Sequence, residues 1–374
     1  MTDDDQPTPL RWGVHGEVEA IAEALLAEGV ETSFEELMGI TGTAFRTHFF
    51  RLSDNPGMRL GPDPENPNVI WGPRYAWTSL RHNNFGHFES ASYFYGGDMV
   101  IREGLPWDSL WKLIRFELDA GRPLALYNLP GQSPWRPILV RRYALSSSPL
   151  SLSLPGLDPE VAFTPRDGTP TNLGALLVRH GDLKPYRPSD NVRKREVLRW
   201  ALRHGVSRRE LVYESERFYA VGVAAFDALA EFLTEGAAAE LADPVQQTSD
   251  EAALDIGRFL AALTEQWTEA RGCAAVFCRA WADQLDEAPA DPDDPPMPSP
   301  EQLRLLADDA ARVSEELKRL ADDFAPALHD ADFASALARD PDRLKRSAQI
   351  VTAAQALERV TLQRLAEALG QAQA

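Results

Sequence analysis

The sequence predicts an α+β amino-terminal domain followed by an all-helical carboxy-terminal domain with long antiparallel helices. Three observations carry this. Short strand patterns cluster in the first half, helical periodicity fills the second, and an Asp/Pro-rich loop at 286–300 separates two apolar seams of heptad spacing. The expected divisions are a flexible start at 1–10, the α+β domain at 11–188 and the helical domain at 189–374. At 374 residues the chain has ample apolar material for two cores.

Taken in order, Val14, Val18, Ile21, Leu25 and Leu26 share one helical face from Trp12 onward, and Gly29 stands just past its end. Ser33 followed by Glu36 reads as the capping box of a second helix that reaches Met38-Gly39. Ile40 to Phe45 is a small-residue turn, and Arg51 to Tyr75, dense in Pro, Gly and Asn, is a loop. A helix is expected from Leu105 to Ala120, stopped by Gly121, with Leu110, Leu113, Ile114, Phe116 and Leu118 apolar. Strands are expected at 123–127, 137–140, 150–154, 161–164 and 175–178.

In the second half, Ser189 to Arg203 is a helix ended by Gly205, and Ser207 with Glu210 reads as a capping box opening a helix towards Phe232. Ile256, Leu260, Leu263, Trp267, Ala270, Ala274, Phe277 and Trp281 recur at gaps of four and three. The same rhythm returns at Leu303, Leu306, Ala310, Val313, Leu317, Leu320 and Phe324, which describes an antiparallel pair packed knobs-into-holes. Asp340-Pro341, a cap followed by proline at the first helical position, opens a last helix towards Leu369.

The chain carries 57 acidic and 38 basic residues, a net charge of −19, which argues against a general binder of nucleic acid or anionic membranes. No apolar run of about 18 residues suggests a membrane span. The start, Met1-Thr-Asp-Asp-Asp, lacks the basic-then-apolar pattern of a secretory signal, so the expected compartment is the cytoplasm. The two cysteines, Cys273 and Cys278, are five apart on a helix and point in different directions; buried packing is the expected role. Walker-type, Gly-x-Ser-x-Gly and zinc-protease motifs are absent, and neither cofactor nor metal is expected.

Two clusters have chemical potential. His82, His87 and Glu89 lie within eight residues and suit an acid/base pair or metal ligation, although their spacing matches no metal motif and their plainer reading is a structural loop. The stretch from Arg179 to Arg209 is basic, and Arg193, Lys194 and Arg195 at its centre are candidates for binding an anion. Its plainer reading is a solvated helix face that pairs with acidic carboxy-terminal helices. The other histidines are scattered, and His48 beside Phe49-Phe50 reads as a hydrogen-bonded core residue.

Several phrases taken together resemble a known fold. These are the helix from Gly13 to Glu28, the phrase Ser33-Phe-Glu-Glu-Leu-Met-Gly-Ile-Thr-Gly-Thr-Ala-Phe45, the phrase Leu118-Asp-Ala-Gly-Arg-Pro-Leu-Ala-Leu126 and a strand near Ile138. They look like the papain-like fold and, more narrowly, the amino-terminal domain of the butirosin biosynthesis protein H family. Members of that family are acyltransferases that move an acyl group from a carrier-protein thioester to an amine. The segments 219–229 and 267–275 are similar to that family's helical part.

The resemblance implies His-Cys at the start of the first helix, where this chain has His15-Gly16, and a histidine on a following strand, where Arg136 aligns. Glycine supplies no nucleophile, and arginine stays protonated and cannot act as a base. What the resemblance leaves is a ligand cleft at the helix end, lined by His15, Gly16, Glu17, Trp135 and Arg136. Three functions are open at this point. The first is a degenerate family member binding a small molecule or peptide in a biosynthetic pathway, with a carrier protein as a further partner. The second is an enzyme using His15, His82, His87 and Glu89. The third is an interaction protein that forms a homodimer through its heptad helices.

Overall fold

The computed structural model describes residues 8–50, 95, 97–103, 105–127, 137–145, 152–154, 161–163, 174–180, 190–212, 217–242, 249–288, 291 and 294–371. The elements in chain order are β1 (Thr8–Pro9), α1 (Gly13–Ala27), α2 (Phe34–Ile40), a 3-10 turn (Thr43–Phe45), β2 (His48–Phe50), β3 (Gly97–Glu103), α3 (Trp107–Asp119), β4 (Leu124–Tyr127), β5 (Ile138–Val140), β6 (Ala144–Leu145), β7 (Leu152–Leu154), β8 (Val161–Phe163) and β9 (Gly174–His180). There follow α4 (Asp190–Val206), β10 (Arg209–Val212), β11 (Arg217–Val221), α5 (Val223–Glu231), a π-helical turn (Phe232–Gly236), α6 (Ala237–Ala242), α7 (Ser249–Glu287), α8 (Pro300–Phe324), a 3-10 turn (Ala325–Leu328), α9 (Ala331–Ala338) and α10 (Pro341–Ala368).

The chain divides into two compact units, one from residues 1–37 and 84–187, the other from 38–83 and 188–374. The first is organised by an antiparallel sheet of order β1-β5-β4-β9-β3. Ala125 on β4 pairs with Leu139 on one side and Leu176 on the other. Leu110, Trp111, Ile114 and Leu118 recur at helical spacing on α3 and bury against Leu124, Leu126, Ile138 and Val140. The alternate residues Ala125 and Leu139 turn to the opposite face, where α1 lies against β4 and β9. A smaller antiparallel sheet, β6-β7-β8, belongs to the same unit. Gly29 and Gly121 stop α1 and α3 in the left-handed conformation, at φ +77° and +75°.

The second unit is dominated by α7 and α8. Arg279 meets Asp308, Arg304 meets Asp283 and Asp286, and Ser314 Oγ donates to the Thr268 carbonyl at 2.8 Å. The paired numbers rise on one helix as they fall on the other, so the helices run antiparallel, as the heptad spacing predicts. Ser299 caps α8 in a capping box with Gln302, and Asp340 Oδ1 accepts the Arg343 backbone N–H at 2.9 Å at the start of α10. No helix among the described residues is long and apolar enough to cross a membrane.

The all-helical expectation is corrected in this unit. It is not all-helical, because it holds an antiparallel sheet of order β10-β11-β2. The apparent cap at Ser207 and Glu210 opens no helix; Glu210 lies in β10 opposite Tyr219, and the helix starts only at Val223 after Gly222 at φ +57°. The Arg217–Val221 segment pairs with β10 on one side and β2 on the other, and those pairings override the local cap signal. Residues 38–50 fall within the unit that holds the long helices.

Candidate functional site

The first turn of α1 is the place where the family resemblance puts a nucleophile. Trp12 precedes it in extended backbone without a side-chain cap, and Leu10 N–H donates to the Pro137 carbonyl at 3.0 Å. That bond stitches the chain entering α1 to the start of β5. A Cβ on Gly16 would lie 2.2 Å from the Arg11 carbonyl oxygen and 2.6 Å from Pro137 Cγ. Gly16 therefore has a packing reason to be glycine: the chain crosses where a side chain would stand. His15 and Glu17 flank it, both buried. The His15 ring meets Phe34 edge-on at 6.5 Å, and the Arg11 guanidinium lies 3.9 Å from the centre of the same ring while pairing with Glu19. Trp135 and Arg136, the other residues of the expected cleft, and His82, His87 and Glu89 lie outside the described residues.

The basic candidates on α4 are engaged inside their own unit. Lys194 is buried and donates to Gln284 Oε1 on α7; Arg195 Nε donates to the Pro296 carbonyl at 2.9 Å; Arg193 pairs with Asp190. These contacts fasten α4 to α7 and to the stretch before α8. Among the described residues, no group of three or more His, Cys, Asp or Glu side chains could hold a metal ion.

Neither Cys273 nor Cys278 is in a disulfide, and both are buried in α7. Burial pushes the Cys278 thiol up to about 12, because the thiolate would lose its hydration. Beside it lies a cavity of about 20 Å³, lined among others by Arg271, Cys278, Leu306, Glu358 and Thr361. That volume suits a single water and excludes a substrate.

One buried polar arrangement was not anticipated from the sequence. Arg271, at the middle of α7, is 2% exposed and forms a two-pronged ion pair with Glu358 of α10, Nε to Oε2 at 2.9 Å and Nη2 to Oε1 at 2.6 Å. Its third nitrogen, Nη1, donates to the Ala44 carbonyl at 2.7 Å. The guanidinium thus ties two helices to the turn between α2 and β2. The available signal was an arginine inside an apolar seam, between Ala270 and Ala274; the partner on a helix far along the chain left no local mark.

The rest of that turn is fitted as closely. A Cβ on Gly39 would lie 2.1 Å from the Phe277 ring, and Gly42, at φ +73°, has the Trp200 ring 3.0 Å from where its Cβ would stand. Phe45 meets Phe277 edge-on at 6.2 Å, and Arg46 lies over Trp200. Thr47 exchanges bonds with Gly222: its carbonyl accepts the Gly222 N–H and its hydroxyl donates to the Gly222 carbonyl, both at 3.1 Å. His48 and His204, both buried, sit 4.8 Å apart, with Trp200 stacked on His204. His204 Nε2 lies 3.3 Å from the Thr47 carbonyl, which can only accept, so that nitrogen carries the proton. Phe49 enters between Phe232 and Phe259. His48 is a core residue, as the sequence suggests.

No protein-family model and no curated protein matches the chain.

Proposed function

We propose that this protein is a butirosin H-like protein that has given up thioester chemistry and serves as a binding protein for a small molecule or peptide in a biosynthetic pathway. One observation carries the reading: neither thiol in the chain is placed to act as a nucleophile. Both are buried in α7, where burial raises the Cys278 thiol and disfavours the thiolate that would have to attack. At the helix end where the resemblance expects cysteine, the Arg11 carbonyl and Pro137 fill the space beside Gly16. The apolar seam that motivated a homodimer is occupied within one chain, since Ile256, Leu260, Leu263, Trp267, Phe277 and Trp281 are all buried in the monomer.

The test is incubation of the full chain with an acyl-N-acetylcysteamine thioester, read by intact mass, alongside titration with a holo acyl carrier protein. The expected result is no acyl adduct together with saturable binding of the carrier protein. An adduct on either cysteine would overturn the loss of thioester chemistry. Absence of any binding would remove the carrier protein as a partner.

A further inference from the structure

The segment Met38–Phe50 is fastened to the helical unit through its backbone and through buried side chains, among them Ile40, Ala44, Thr47, His48 and Phe49. Its strand adds to the sheet edge with His48 opposite Val221, Phe49 opposite Ala220 and Phe50 opposite Tyr219. Ahead of the strand, the carbonyls of Ala44 and Thr47 are read by Arg271, Gly222 and His204. Phe49 fills an aromatic slot between Phe232 and Phe259, while Phe45 and His48 meet Phe277 and His204. Backbone pairing for affinity plus a pocket for an alternate side chain is how a sheet edge takes up an extended peptide.

The receiving surface is organised in advance. Glu358 holds the Arg271 guanidinium by two bonds from the side away from the turn, so that Nη1 faces the Ala44 carbonyl in a fixed orientation. In the order β10-β11-β2 the segment is the edge strand, so it can leave without breaking the β10-β11 pairing. Residues of the other unit, 84–187, separate it in sequence from the helices that receive it.

We propose that β11, α4 and α7 form a peptide-binding site, and that Met38–Phe50 is its ligand supplied in cis. The ligand class is an extended peptide with a small-residue turn that presents one carbonyl to a guanidinium, followed by a strand bearing an aromatic side chain. Tethering keeps the local concentration of the segment high, so the cis copy outcompetes a free peptide.

The experiment uses the full chain and a fluorescently labelled synthetic peptide with the sequence of residues 38–50, read by anisotropy. Gly42→Val disfavours the cis turn, because a β-branched residue resists φ +73° and meets Trp200. The expected result is saturable binding to Gly42→Val and binding at least about tenfold weaker to the unmodified chain. Adding Arg271→Met with Glu358→Leu, which removes the guanidinium without leaving a buried charge, is expected to abolish the binding. Failure of a folded Gly42→Val chain to bind the peptide overturns the proposal, and so does binding that survives the double substitution. Should Gly42→Val not fold, hydrogen exchange on the unmodified chain decides. Amides of 42–50 that open before those of α7 and α8 support a releasable ligand, and exchange only with global unfolding overturns it.

Discussion

In the sheet-centred unit the buried carboxylate of Glu117 finds Arg122 at 2.6 Å, close to the end of α3, and the arginine keeps about a quarter of its side chain in water. In the helical unit Arg271 and Glu358 meet halfway along their helices with almost none of either side chain exposed. The chemistry is the same and the surroundings are opposite. Near a helix end, solvent screens a charge whose partner is lost; in the middle of the helical core nothing else can compensate it. The comparison teaches that the helical unit depends on one pairing in a way that the sheet-centred unit does not.

The largest effect should come from breaking that pairing. Arg271→Met leaves Glu358 buried without a partner and should cost about 3–5 kcal/mol in urea denaturation, whereas combining it with Glu358→Leu should return most of the loss. Equal costs for the single and the double substitution would break the comparison, because the charge would then not be what matters.

A smaller effect tests whether close backbone approach weighs alike in the two units. Gly257→Ala would place a Cβ 2.1 Å from the Ala334 carbonyl oxygen in the helical unit, and Gly16→Ala one 2.2 Å from that of Arg11 in the other. Each should cost about 1–3 kcal/mol of overpacking, measured by thermal unfolding. A neutral Gly16→Ala would show that the first turn of α1 has room, and would return that position to consideration as a cleft.

The smallest effect concerns Asp309, whose buried carboxyl is held above its ordinary 3.8 chiefly by burial, against the opposing pull of Arg364 at 2.9 Å and Arg312 at 3.7 Å. A folded-state value above the unfolded one favours the protonated form. The contribution of this group is therefore most favourable below pH 3.8 and is lost as pH rises through the raised value. Asp309→Asn should accordingly gain on the unmodified chain in chemical denaturation between pH 4 and 7. A gap that moves the other way would mean that the two arginines, not burial, govern the site.

What the sequence disclosed was whatever its local chemistry encodes. The stops at Gly29 and Gly121 and the cap at Asp340 are decided within a few residues, and the α7–α8 seam by a repeating pattern; all were legible. Ser207 and Glu210 misled because a cap motif is local, while Glu210 pairs with Tyr219 on a strand that is itself held by distant β2. Strand β3 gave no alternating signal, with Asp98 and Arg102 in a run whose partner β9 lies far along the chain. The site was least legible. A glycine at position 16 reads as a missing nucleophile until the Arg11 carbonyl is placed beside it, and Arg271 acquires meaning only from Glu358 and Ala44.

The interleaving of the two units has a consequence for how the molecule is made. On a ribosome adding about 5–20 residues per second, Phe49 is synthesised roughly 10–45 seconds before Arg271. The sheet-centred unit can close once residue 187 has emerged, but the segment that completes the helical unit, β2 included, must wait until β11 and α7 have been made. The order of synthesis, and not only the final contacts, thus decides when the nascent chain is most vulnerable to mispairing at that strand.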